Sequence, residues 1–175
     1  MKSLFVIMLL LGVLSCSKGV ETQPVDEAPV PVPMATNNGD FQQAPTDVDL
    51  LVYKSASCGC CADWVAHMQE AGFTSKVEHP EDLVAVKQSW NISSEYQSCH
   101  TAVSRQGYIF EGHIPAYVIQ RFLAEKPANA MGLAVAGMPI GSPGMEMGDK
   151  FEPYDVRLLR KDGKTELFTR ITKPR

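Results

Sequence analysis

Apolar runs separated by turn residues divide most of this chain into short alternating elements. Residues 49 to 54 (Asp-Leu-Leu-Val-Tyr-Lys) form a nearly unbroken apolar run of strand length, as a buried strand requires. After Ser55-Ala56-Ser57-Cys58-Gly59-Cys60-Cys61, the apolar positions Trp64, Val65, Met68 and Ala71 recur at helical spacing, and Gly72 supplies a helix stop. Thr74 to Glu78 can form a second strand. Pro80 stands where a first helical position is favoured, opening a helix through Leu83, Val84, Val86 and Lys87. Residues 98 to 103, a turn at Gln106-Gly107, and Tyr108-Ile109-Phe110 read as a hairpin. Pro115 starts a third helix carrying Val118, Ile119, Phe122 and Leu123, which ends before Pro127. A Gly/Pro/Met-rich loop is expected over residues 132 to 148. A last hairpin pairs Asp155 to Leu159 with Glu166 to Ile171 around Asp162-Gly163.

Strand, helix, strand, helix, strand, strand, helix is the order of a thioredoxin-like α/β domain. The expectation is a central mixed sheet with flanking helices and an added C-terminal hairpin. A Cys-x-x-Cys at the end of the first strand strengthens it. This arrangement has a consequence for chemistry. The first strand ends at one edge of the sheet, the antiparallel third strand begins there, and the fourth returns to it. Cys58 to Cys61, Cys99 with His100, and His113 therefore meet at one edge although they lie far apart in sequence.

The N-terminal region is different. Lys2 precedes an apolar run from Leu4 to Leu14, too short to span a bilayer as a helix, which has the layout of a secretory signal. It ends in Val13-Leu14-Ser15-Cys16, which resembles a bacterial lipobox. In that pattern the cysteine, here Cys16, is lipidated and becomes the new N-terminus. Residues 1–15 are then a signal peptide. Residues 16–47, with Pro29-Val30-Pro31-Val32-Pro33, form a tether too poor in apolar surface to make a core. About thirty such residues stretch to roughly 100 Å. Residues 48–175 are the folded domain. The expected location is the cell envelope, lipid-anchored and periplasm-facing, and the outer membrane in a Gram-negative cell because Ser17 is not Asp. The net charge of -4 and the lack of a basic stripe with interleaved aromatics argue against nucleic acid.

Four cysteines remain after Cys16, and three uses compete for them. Structural disulfides are common in secreted proteins, with Cys58 pairing either Cys61 or Cys99. Adjacent Cys60 and Cys61, with Cα atoms about 3.8 Å apart, are too close for a relaxed mutual bridge. Stapling also leaves the histidines and methionines unexplained. Thiol–disulfide exchange through Cys58 and Cys61 fits the fold, and a helix N-terminus near Cys60 should favour thiolates. A third thiol inside the motif would compete for mixed disulfides. Metal binding uses all of the thiols. Adjacent cysteines on a helix point in different directions, so several metals bridged by shared thiolates suit them better than one tetrahedral zinc. Thiolate and thioether ligands favour Cu(I). Met138, Met145 and Met147 supply thioethers from the Gly/Pro loop, against the commoner fate of methionine in a core. His113 is a candidate ligand. His100 is expected to turn toward the opposite face of its strand. His67 and His79 fall away from the edge.

Cys58-Gly59-Cys60-Cys61, Ser98-Cys99-His100-Thr101, Glu111-Gly112-His113-Ile114-Pro115-Ala116 and Gly137-Met138-Pro139-Ile140-Gly141-Ser142-Pro143-Gly144-Met145-Glu146 together resemble the CopG-type family. These are secreted, thioredoxin-like proteins associated with bacterial copper resistance. The resemblance covers roughly residues 49 to 150. It implies copper at the cysteine cluster, held as a multinuclear cluster, and a role in interconverting Cu(I) and Cu(II). The combined expectation is a copper-resistance protein of the envelope. Cys58, Cys60, Cys61 and Cys99 are its ligands, supplemented by His113, Met138, Met145 and Met147. The expected partners are copper ions, copper-handling envelope proteins, and the membrane through the lipid. A thiol–disulfide oxidoreductase using Cys58 and Cys61 is the alternative.

Overall fold

The structure is a computed structural model and describes residues 47–174. The signal segment, the lipobox Cys16 and all but the end of the tether lie outside the described residues. In chain order the elements are β1 (Leu50–Lys54), α1 (Gly59–Glu70), β2 (Ser75–Glu78), α2 (Leu83–Ser89), a 3-10 turn (Ser94–Tyr96), β3 (His100–Ser104), β4 (Ile109–Glu111), α3 (Ala116–Glu125), β5 (Ala130–Ala134), β6 (Tyr154–Arg160) and β7 (Thr165–Ile171). The strands form one mixed sheet ordered β2-β1-β3-β4-β5-β6-β7. The first four positions, with β1 and β2 parallel and β3 antiparallel to both β1 and β4, are compatible with the thioredoxin-like arrangement read from the sequence.

Strand alternation sorts the sheet's two faces. Leu50, Val52, Ala102 and Phe110 face the larger core, with Trp64, Met68, Ile119 and Phe122 from α1 and α3. Leu51, Tyr53 and Val103 face the other way and pack with Val86 of α2. The indole of Trp64, fully buried, donates to the Ile114 carbonyl at 2.9 Å. That bond ties α1 to the segment that follows β4.

Two expectations need correction. The second helix does not start at Pro80. Asp82 is its N-cap, its carboxylate accepting the Ala85 N–H at 2.9 Å, because a side-chain acceptor satisfies an orphan helix donor and proline cannot. The loop expected from residue 132 begins later, because Ala130–Ala134 is a strand parallel to β4. Gly132 makes this pairing feasible, since a Cβ there would stand 1.8 Å from the Ile109 carbonyl oxygen. The C-terminal hairpin therefore continues the main sheet through β5.

Candidate metal centre

α1 begins on a sulfur. Cys58 occupies the N-cap, and its Sγ accepts the Cys61 N–H at 3.3 Å, the role a Ser or Asp oxygen usually fills. Cys58 and Cys61 are joined as a disulfide. This is one of the two pairings the sequence left open. Cys60 and Cys99 are free thiols. Cys60 Sγ lies 3.5 Å from Cys58 Sγ, and Cys61 Sγ lies 3.7 Å from the Cys99 carbonyl oxygen. The sulfur atoms of Cys58, Cys60, Cys61 and Cys99 all lie within 4.8 Å of one another. Cys60 and Cys61 do diverge, as adjacent helical residues must: Cys61 is fully buried and Cys60 partly open.

Cys99 also belongs to a second group. Its Sγ lies 2.9 Å from His113 Nε2 and 3.5 Å from His100 Nδ1. Cys99, His100 and His113 offer three ligand atoms within 4.8 Å of one another. Both histidines are fully buried. His113 Nδ1 donates to the Pro143 carbonyl at 2.8 Å, which leaves Nε2 unprotonated and facing the sulfur. His100 lies against Trp64 at 4.3 Å between ring centroids, and its Nε2 has no hydrogen-bond partner among the described residues. Burial lowers the proton affinity of His113, and holds that of His100 well below the usual histidine range, helped by His113 and Lys87. Burial, with Cys60 second, pushes the Cys99 thiol up to about 11. The thiolate stabilisation expected at the helix start does not extend to Cys99, which sits off that helix in a drier place.

The Gly/Pro/Met loop closes over this group. The Gly137 carbonyl accepts from Ser98 Oγ. Gly144, with φ +81°, lies so close to α1 that a Cβ would come 2.4 Å from the Cys60 carbonyl oxygen. Turn bonds from Ser142 to Pro139 and from Met145 to Ser142 hold the loop's shape. Met138 and Met147 are half exposed, so core packing does not explain them; Met145 is part-buried beside Gly144.

The edge expected from sequence thus gathers Cys58, Cys60, Cys61, Cys99 and His113. It also gathers His100, which the sequence places at this edge but with its side chain expected on the opposite face. His100 is the first residue of β3, and its ring leans back to the preceding cysteine. The Ser-Cys-His-Thr string was the available signal. His67 and His79 lie elsewhere, His67 accepting the Ala116 N–H and His79 bonded to the Lys54 carbonyl.

A family described as "Protein of unknown function, DUF411" matches residues 96–145. Two solved chains described as "Copper resistance protein copG", in Form 2 and Form 1, are similar over most of the domain. Their TM-scores are 0.68 and 0.67, with 37% and 38% sequence identity, covering 71% and 73% of this chain and 98% of each of theirs. This chain belongs to the CopG family. None of the curated proteins matches it. As a CopG-type protein, it carries at this edge a thiol and imidazole donor set that fits a soft or borderline metal ion.

Proposed function

We propose that this chain binds copper at the sheet edge, through Cys58, Cys60, Cys61 and Cys99 with His113, and contributes to copper resistance in the bacterial envelope. The observation that carries the reading is convergence. Four sulfurs and two imidazoles from three separate segments share one small volume. Thiolate sulfurs suit Cu(I), and imidazoles also suit Cu(II). Cys99 belongs to both groups, so one site offers ligands for both oxidation states. Met138, Met145 and Met147 add thioethers on the covering loop. The family relationship to copper-resistance proteins favours copper over zinc.

The Cys58–Cys61 pair supplies a balanced redox step. In the dithiol form it gives one electron to each of two Cu(II) ions. The two sulfurs join, two protons leave to solvent, and two Cu(I) ions result. The Cys58–Cys61 disulfide is the form such a step would leave. Lipidation at Cys16, a signal peptide over 1–15 and a tether over 16–47 would hold the domain in the cell envelope, facing the periplasm, at the outer membrane in a Gram-negative cell.

The same disulfide favours a second reading, a thiol–disulfide oxidoreductase. The two readings part at Cys60. Copper-to-protein stoichiometry of the reduced, oxygen-free chain is measured for wild type and Cys60→Ser. More than one tightly held Cu(I) per wild-type chain, falling in the variant, supports the thiolate cluster. No tight copper, with insulin-type disulfide reduction that Cys60→Ser leaves intact, supports the oxidoreductase.

A further inference from the structure

β3 and β4 pair with Thr101 opposite Glu111. Both residues face the α2 side of the sheet, where Lys87 enters from the helix. Lys87 Nζ lies 2.6 Å from Glu111 Oε1 and 3.0 Å from Thr101 Oγ1, and Thr101 Oγ1 donates to Glu111 Oε2 at 2.6 Å. Glu111 and Thr101 are fully buried and Lys87 nearly so. A buried ion pair is a poor source of stability compared with apolar side chains of similar volume. Its retention here points to another role.

Glu111's third side-chain bond points to that role. Oε1 also accepts the backbone N–H of Ser98 at 2.6 Å. Ser98 lies outside the regular strand, one residue before Cys99, and its hydroxyl bonds the Gly137 carbonyl at the start of the covering loop. Glu111 itself stands two residues before His113. Between them Gly112 lets β4 pass close to Ser98, where a Cβ would come 2.8 Å from the Ser98 side chain. One carboxylate thus links α2, the segment that delivers Cys99 and the strand that delivers His113.

We propose that Glu111 is a positioning residue of the metal centre: braced by Lys87 and Thr101, it fixes the Ser98 N–H and so seats the Cys99 sulfur against His113. The inference rests on the copper reading for its purpose, and on the geometry alone for its mechanism. What it requires of residue 111 is an acceptor of the right reach. Negative charge serves only to match Lys87.

Reach and charge can be separated. Glu111→Asp keeps the charge and draws the acceptor back by one methylene. Lys87→Met with Glu111→Gln removes both charges and keeps an acceptor at full reach. Two quantities are read on the full chain. One is the alkylation rate of Cys99 by iodoacetamide in the reduced, copper-free protein. The other is Cu(I) affinity by chelator competition. Glu111→Asp is expected to speed alkylation several-fold and to weaken Cu(I) about tenfold, as loss of a supporting shell does. The double variant is expected to match wild type in both. An ion pair that serves only folding gives the opposite pattern, with Glu111→Asp normal and the double variant impaired, and that result overturns the proposal. Because Glu111→Asp keeps both charges, its result stands even if the double variant fails to fold. Wild type without Cu(I) affinity defeats the copper reading, while the alkylation contrast still decides the positioning role.

Discussion

Cys99 Sγ stands 2.9 Å from His113 Nε2, and the other nitrogen of the same ring donates to the Pro143 carbonyl at 2.8 Å. The imidazole is thereby locked in one tautomer, with its lone pair aimed at the sulfur. Metal-ligating histidines are commonly held in this way, by a carbonyl or carboxylate on the far nitrogen. His113→Ala should therefore weaken Cu(I) binding by about tenfold or more. It should also leave the Cys99 thiol open to alkylation. Chelator competition measures the first effect and peptide mapping the second. Wild-type Cu(I) affinity in His113→Ala would remove His113 from the ligand set.

With the Cys58–Cys61 disulfide in place, the free thiols of this edge are Cys60 and Cys99. Reduction doubles the thiol count. Because metal ligation needs the deprotonated sulfur, the reduced chain should hold about twice as much Cu(I) as the oxidised one. Anaerobic titration of both forms gives the ratio. Equal stoichiometry would mean that Cys58 and Cys61 take part in electron transfer without ligating the metal.

Much of this edge was legible because the topology was. An apolar strand ending in Cys-Gly-Cys-Cys, a helix, and a hairpin starting at Cys99 fix which strand ends coincide, whatever the element boundaries. The parts that escaped depend on single contacts. β5 was hidden because Ala130-Met131-Gly132-Leu133-Ala134 carries no β-branched residue; Gly132 is there because the Ile109 carbonyl leaves no room for a side chain. His100 obeys strand alternation, sharing the Trp64 face with Ala102; it was misjudged because Cys99, just ahead of β3, is outside that alternation and comes within 3.5 Å of its ring. The Lys87–Glu111 pair leaves a trace in the sequence: Lys87 sits four residues after Leu83 on the apolar side of α2, and Glu111 ends an apolar strand. Charges at such positions are rarely buried unless paired.

His67, His100 and His113 all have their proton affinity lowered by burial. The folded chain then holds fewer protons on them than the unfolded chain, whose histidines titrate near 6.5. Stability should be highest above that value and fall as the pH drops through it. Each proton of difference steepens the fall by about 1.4 kcal/mol per pH unit. Urea unfolding of the reduced, copper-free chain from about pH 7.5 to about pH 5.5 should give a slope above one proton. His100→Phe, which can keep the contact with Trp64, should flatten it. An unchanged slope would mean that His100 is protonated in the folded chain.

Gly144 carries the covering loop over the first turn of α1. A Cβ there would come 2.4 Å from the Cys60 carbonyl oxygen and 2.8 Å from the Trp64 nitrogen, the two atoms that the helix's own i to i+4 pattern pairs. Neither can rotate away, and φ of +81° is itself unfavourable for a side chain. Gly144→Ala should therefore cost about 2–4 kcal/mol in urea unfolding. It should also weaken Cu(I) binding, because lifting residue 144 draws the neighbouring Pro143 carbonyl off His113. Gly148→Ala is the matched control. Its φ is +62°, but a Cβ there meets nothing within 4 Å. It should cost only the backbone term of about 1–2 kcal/mol and leave copper binding alone. If the two variants behave alike, the loop does not bear on α1, and His113 is oriented without it.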